Sequence, residues 1–108
     1  MKCARFSAVF LASALFAAPA MAQQVQLTLK DHKFSPAQPH APANRAFTIV
    51  VKNLDATAAE FESKTLRVEK VVAPGGQITM QIRPLNAGRY HFFDDFHQET
   101  TEGELIVE

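Results

Sequence analysis

Apolar and polar residues alternate at two-residue spacing in several short runs of this chain, and that pattern predicts β structure. Val25-Gln26-Leu27-Thr28-Leu29-Lys30 sends every second side chain to one face, as a half-buried strand does. Phe34-Ser35-Pro36 ends that strand. Pro36, Pro39 and Pro42 then predict irregular connection as far as Asn44. Ala46-Phe47-Thr48-Ile49-Val50-Val51 reads as a more fully buried strand, and Asn53-Leu54-Asp55 turns the chain. The segment from Asp55 to Ser63 admits a helical turn. Leu66 to Val72 alternates in part, and Pro74-Gly75-Gly76 predicts a tight reversal. Gln77 to Arg83 alternates cleanly, with Ile78, Met80 and Ile82 expected inward. A turn from Pro84 to Gly88 leads to a strand over Arg89-Tyr90-His91-Phe92-Phe93. A polar loop from Asp94 to Glu102 follows, and Leu105-Ile106-Val107 closes the domain. Short strands punctuated by turn residues, without a long helical period, predict an all-β sandwich or barrel.

The first residues follow a different rule. Lys2 and Arg5 precede an apolar run from Phe6 to Ala18, and Ala20-Met21-Ala22 has the small-x-small form of a cleavage site. Residues 1–22 are therefore expected to be a secretory signal peptide, too short and wrongly flanked for a membrane span. One domain, residues 23–108, remains, with a modest core at that size.

The charge balance changes with that cut. The whole chain has 11 acidic and 11 basic residues, and the first 22 take Lys2 and Arg5 with them. A mildly acidic domain excludes a nucleic-acid partner held by phosphate charge. Cys3, the single cysteine, also falls in the leader. The exported domain then has no disulfide, thiolate nucleophile or thiolate metal ligand.

Candidate chemistry gathers near the C-terminus. Phe93-Asp94-Asp95-Phe96-His97 delivers two adjacent carboxylates and an imidazole to one loop, with His97 three residues after Asp94. A curled loop can turn both side chains toward one ion. Glu60-Phe61-Glu62 is a second acidic group, whose glutamates share a face in an extended segment, and Glu69 follows it. Spacing leaves two readings open for these residues: metal ligands, or acids solvated at the surface. His32, His40 and His91 are expected in plain surface or hydrogen-bonded roles. The chain carries no Ser-His-Asp set, no phosphate-cradling glycine loop and no zinc-type cysteine spacing.

From Val25 to Val107 the chain resembles a small cupredoxin-like domain, a Greek-key β-sandwich. The resemblance rests on Phe34-Ser35-Pro36, Phe47-Thr48-Ile49-Val50-Val51-Lys52-Asn53, Ala73-Pro74-Gly75-Gly76 and Leu85-Asn86-Ala87-Gly88-Arg89-Tyr90. In copper-carrying members the corresponding places hold a Cys, two His and a Met. Here the Cys place is Asp94, the second His place is His97, the Met place falls near Thr101, and the first His place falls at Glu60. Hard oxygen donors disfavour Cu(I) and type 1 copper, and suit iron, manganese or Cu(II).

The chain is closer still to the EfeO-type proteins of bacterial periplasmic ferrous-iron uptake, and to the stand-alone cupredoxin-like members of Ftr-type iron transport operons. Glu60-Phe61-Glu62, Val68-Glu69-Lys70-Val71 and Phe93-Asp94-Asp95-Phe96-His97 carry that likeness. The resemblance implies a periplasmic iron-binding protein, with an Ftr-type iron permease and a periplasmic high-affinity iron protein as partners. Glu60, Asp94 and His97 are the first-choice ligands, with Glu62, Glu69 and Asp95 as supporting ones. The expected cofactor is iron or Cu2+. Three function classes stand open: an iron carrier, a ferroxidase, and a metal-free adaptor for the permease. The larger EfeO proteins carry a second, peptidase-like domain, and residues 23–108 are expected to hold no counterpart of it.

Overall fold

A computed structural model describes residues 23–108, and the expected signal peptide, residues 1–22, lies outside the described residues. The alternating runs become nine strands: β1 (Gln24–Lys30), β2 (Lys33–Ser35), β3 (His40–Ala41), β4 (Phe47–Asn53), β5 (Ala59–Ser63), β6 (Val68–Val72), β7 (Gln77–Ile82), β8 (Gly88–Asp94) and β9 (Glu102–Val107). They form two sheets, ordered β2-β1-β4-β7 and β3-β9-β8-β5-β6. Both are mixed: β1 runs parallel to β4 and β3 parallel to β9, while the other pairings are antiparallel. The all-β sandwich expected from the sequence is the observed architecture.

The core lies between the sheets, where the two inner faces interdigitate. Leu27, Leu29, Phe47, Ile49 and Val51 come from one sheet, and Phe61, Phe92 and Leu105 from the other. Phe92 stacks on Phe61, and Phe34 meets both rings edge-on. Met80 and Ile82 are buried as expected, whereas Ile78 is only partly buried, toward the end of the edge strand β7.

Three segments differ from the sequence expectation. The helical turn admitted between Asp55 and Ser63 is instead β5, which is paired on both sides, with β6 and with β8. The proline-bearing connection from Pro36 to Asn44 contains β3, which joins β9 by parallel pairing. The polar loop after β8 is partly ordered: Asp94 belongs to the strand, and Asp95–His97 form one 3-10 turn. Thr101 is buried there, and its hydroxyl donates to the His97 carbonyl at 2.7 Å, which closes the loop.

Candidate metal centre

The end of β8 builds the site. Asp94 is completely buried, and a buried carboxylate is costly unless its oxygens are satisfied. Oδ1 accepts the backbone N–H of Glu60 at 2.8 Å and that of Phe96 at 3.0 Å. The second of these caps the 3-10 turn that carries His97. Oδ2 lies 2.8 Å from Nδ1 of His97. With Nδ1–H donating to the carboxylate, the imidazole is fixed in one orientation and its Nε2 is left as a free lone pair. Carboxylates behind metal-binding histidines do the same.

His32 completes this group, and sequence reasoning missed it. Its ring stacks on His97, with centroids 3.9 Å apart and planes inclined by 30°. The two residues of the β1–β2 turn, Asp31 and His32, both have positive φ, 52° and 56°. Such left-handed turns fit the twist of a hairpin but usually recruit Asn-Gly. Asp55 holds the strained pair, accepting the N–H of Asp31 at 2.6 Å and that of His32 at 3.0 Å. Partial burial works against ionisation of Asp55. The hydrogen bonds from the His32 and Asp31 N–H groups, with the nearby His32 and His97 rings, outweigh it and lower the pKa. Asp55 is itself held by Asn53, a fully buried amide that accepts the Asp55 N–H and donates to the Thr57, Val72 and Ala73 carbonyls.

The remaining predicted residues form a second group on the outer face of β5. Alternation buries Ala59, Phe61 and Ser63 and turns Glu60 and Glu62 outward. Glu69 is directly opposite Glu62 in the β5–β6 register, so the two share that face. Phe61 pairs with Asp94 and Glu62 with Phe93, a register that brings Asp95 opposite Glu60. One oxygen from each of Glu60, Glu62 and Asp95 lies within 4.8 Å of the others. The pKa of Glu60 is raised, first by partial loss of solvation, then by a hydrogen bond to Glu69 and by the Glu69, Asp95 and Glu62 charges. Lys64 and Arg67 line the same surface depression as Glu62 and Glu69. None of these four carboxylates forms an ion pair among the described residues.

The structure therefore sorts the six expected ligands into two adjacent groups rather than one. Glu60, Glu62, Glu69 and Asp95 share the outer face of β5 and β6. Asp94 and His97 stand with His32 at the end of the sandwich, where the three residues offer donor atoms within 4.8 Å of one another. The groups touch through the Glu60 N–H, not through its side chain. His40 hydrogen-bonds Glu108 in solvent and His91 lies near Glu102, as expected of surface histidines.

Comparison with known proteins agrees with this architecture. The sequence profile of the cupredoxin-like domain matches residues 3–107. This chain belongs to that family. An uncharacterized protein of Rickettsia prowazekii (strain Madrid E), RP394, is 42% identical over 84 residues, which cover 78% of this chain and 67% of that protein. The metal binding domain of the Streptococcus pneumoniae D39 Cu(I) exporting P-type ATPase CopA superposes with a TM-score of 0.73 at 12% identity, covering 85% of this chain and 91% of that one. Auracyanin A, a "blue" copper protein of Chloroflexus aurantiacus, gives 0.66 at 12% identity, covering 79% and 98%. At such identities the likeness is one of fold.

Type 1 copper does not fit this cupredoxin. The place expected from the resemblance for a thiolate holds Asp94, whose oxygens are occupied by the Glu60 and Phe96 N–H groups and by His97. The place expected for the thioether falls near Thr101, whose hydroxyl donates to the His97 carbonyl at 2.7 Å. Among the described residues the one sulfur belongs to Met80, on β7 of the other sheet, and soft ligands are what Cu(I) selects.

Proposed function

We propose that this cupredoxin-like protein is an exported carrier for a hard metal ion, iron foremost, acting in periplasmic ferrous-iron uptake. The observation that carries the reading is the convergence of Glu60, Glu62 and Asp95, with Glu69 beside them. Like charges directly across a strand pair oppose folding. Four carboxylates on one face, without an ion pair, are a cost that a bound cation removes. Oxygen donors on an open face match iron and manganese by charge and hardness. The solved structures similar in fold are named for copper, and the oxygen donors gathered here argue for a different, harder ion. Residues 1–22 would export the chain, and an Ftr-type permease and a periplasmic iron protein would receive its cargo.

The test is anaerobic calorimetry of the purified protein with Fe(II), Mn(II) and Cu(II). One equivalent of Fe(II) should bind to the parent and fail to bind to Glu60→Gln/Glu62→Gln/Asp95→Asn. A parent that binds none of the three ions would contradict the carrier reading and favour a metal-free adaptor.

A further inference from the structure

His32 and His97 lie 65 positions apart in the sequence, yet their rings are in van der Waals contact at the rim of the sandwich. Each has a carboxylate at its Nδ1: Asp94 Oδ2 at 2.8 Å from His97, and Asp55 Oδ2 at 3.7 Å from His32. The two sides are not equivalent. The Asp94 contact is a hydrogen bond that orients His97. The Asp55 distance is too long for one, and the His32 Nδ1 is a buried nitrogen with no hydrogen-bond partner. A buried polar atom left unpaired is unfavourable and calls for an account. The turn that presents His32 adds to that cost, since a left-handed conformation is strained for a residue such as histidine. Asp55 holds that turn in place.

We propose that His32 and His97 form a second metal site, a two-imidazole site for a borderline divalent cation such as Cu(II) or Zn(II). Asp94 serves it as a positioning residue. His97 binds through Nε2, the nitrogen that its Asp94 hydrogen bond leaves free, and His32 is the other donor. Ring nitrogens suit borderline ions, whereas the carboxylates on the β5 face suit hard ones. Two rings inclined by 30° cannot both aim in-plane lone pairs at one ion, so binding turns them apart and replaces the stack with two metal–nitrogen bonds. Both rings are partly exposed, with side chains 40% and 30% accessible, which leaves an ion a path in from solvent. The site shares no side chain with the carboxylate group and does not rest on the iron reading.

Pulsed electron paramagnetic resonance of the protein with one equivalent of Cu(II) tests this, because remote imidazole nitrogens modulate the echo and can be counted. The parent should show two equatorial imidazoles. His32→Asn should show one, with Cu(II) affinity at least tenfold weaker. Asparagine tolerates the left-handed turn, so this variant should keep its circular dichroism. Glu60→Gln/Glu62→Gln/Asp95→Asn should keep both imidazoles while losing Fe(II), which separates this proposal from the carrier reading. His40→Ala/His91→Ala should also keep both. Two imidazoles surviving in His32→Asn would overturn the proposal. So would their loss in the carboxylate variant, since that outcome means one shared site.

Discussion

The backbone N–H of Glu60 donates to Oδ1 of Asp94 at 2.8 Å, tying the start of β5 to the end of β8. One buried carboxylate thereby sets both donor groups: it places the outward carboxylates of β5 through this bond and orients His97 through its other oxygen. The side chain of Asp94 therefore serves the architecture of the loop, with both oxygens engaged inside the protein.

Removal of that carboxylate should be costly. Asp94→Ala leaves the Glu60 and Phe96 N–H groups and the His97 imidazole without their acceptor, and should cost about 2–4 kcal/mol. Asp94→Asn should cost less, because its amide oxygen still accepts from Glu60 and Phe96. Urea midpoints of the two variants check the order, and equal losses would mean that charge rather than hydrogen bonding fixes the loop.

Stability should depend on pH through Glu60. Its pKa is raised in the folded protein, so its contribution is fully present below the unfolded glutamate value, about 4.3, and is lost as pH rises through the folded value. Without metal, Glu60→Gln should flatten the stability profile above about pH 4. At neutral pH it should be at least as stable as the parent. Urea unfolding from mildly acidic to neutral pH reads this directly.

Asp55 works in the opposite direction. Its pKa is lowered, so its contribution is present above the unfolded aspartate value, about 3.9, and is lost as pH falls through the folded value. Asp55→Ala frees the Asp31–His32 turn and should cost about 2 kcal/mol at neutral pH. The deficit should shrink in acid. A deficit independent of pH would assign it to packing instead.

The strands with clean alternation, such as Gln24–Lys30 and Gln77–Ile82, are legible from sequence because one face of each is buried and one wet. Ala59–Ser63 is not, since Ala58-Ala59-Glu60 suits a helix equally well, and its strand state comes from the two neighbours that pair with it. The acidic members of the site could be picked out as local clusters. His32 could not. Its partner is distant in sequence, and only the hairpin turn that Asp55 holds brings the rings together. The division of the six expected ligands was hidden for a related reason: neighbouring Asp94 and Asp95 fall one buried and one exposed.

Gly103 tests the core behind the site. A Cβ there would overlap the ring of Phe92, which packs on Phe61 and Phe34, and would press on the Ala37 carbonyl. Gly103→Ala should destabilise by about 1–3 kcal/mol or more. Calorimetric melting should register that loss with metal binding retained below the transition.

The central claim, that the carboxylates of the β5 face hold a metal ion, is tested most directly by anaerobic thermal unfolding with and without Fe(II). An ion bound only by the folded state stabilises it by about 2.7 kcal/mol when free metal is a hundredfold above Kd. At this size that should raise the Tm by about 10 °C or more. The parent and Lys52→Ala, altered on the other sheet, should both show the full rise, and Glu60→Gln/Glu62→Gln/Asp95→Asn should show none. An equal rise in the carboxylate variant, or no rise in the parent, would contradict the account.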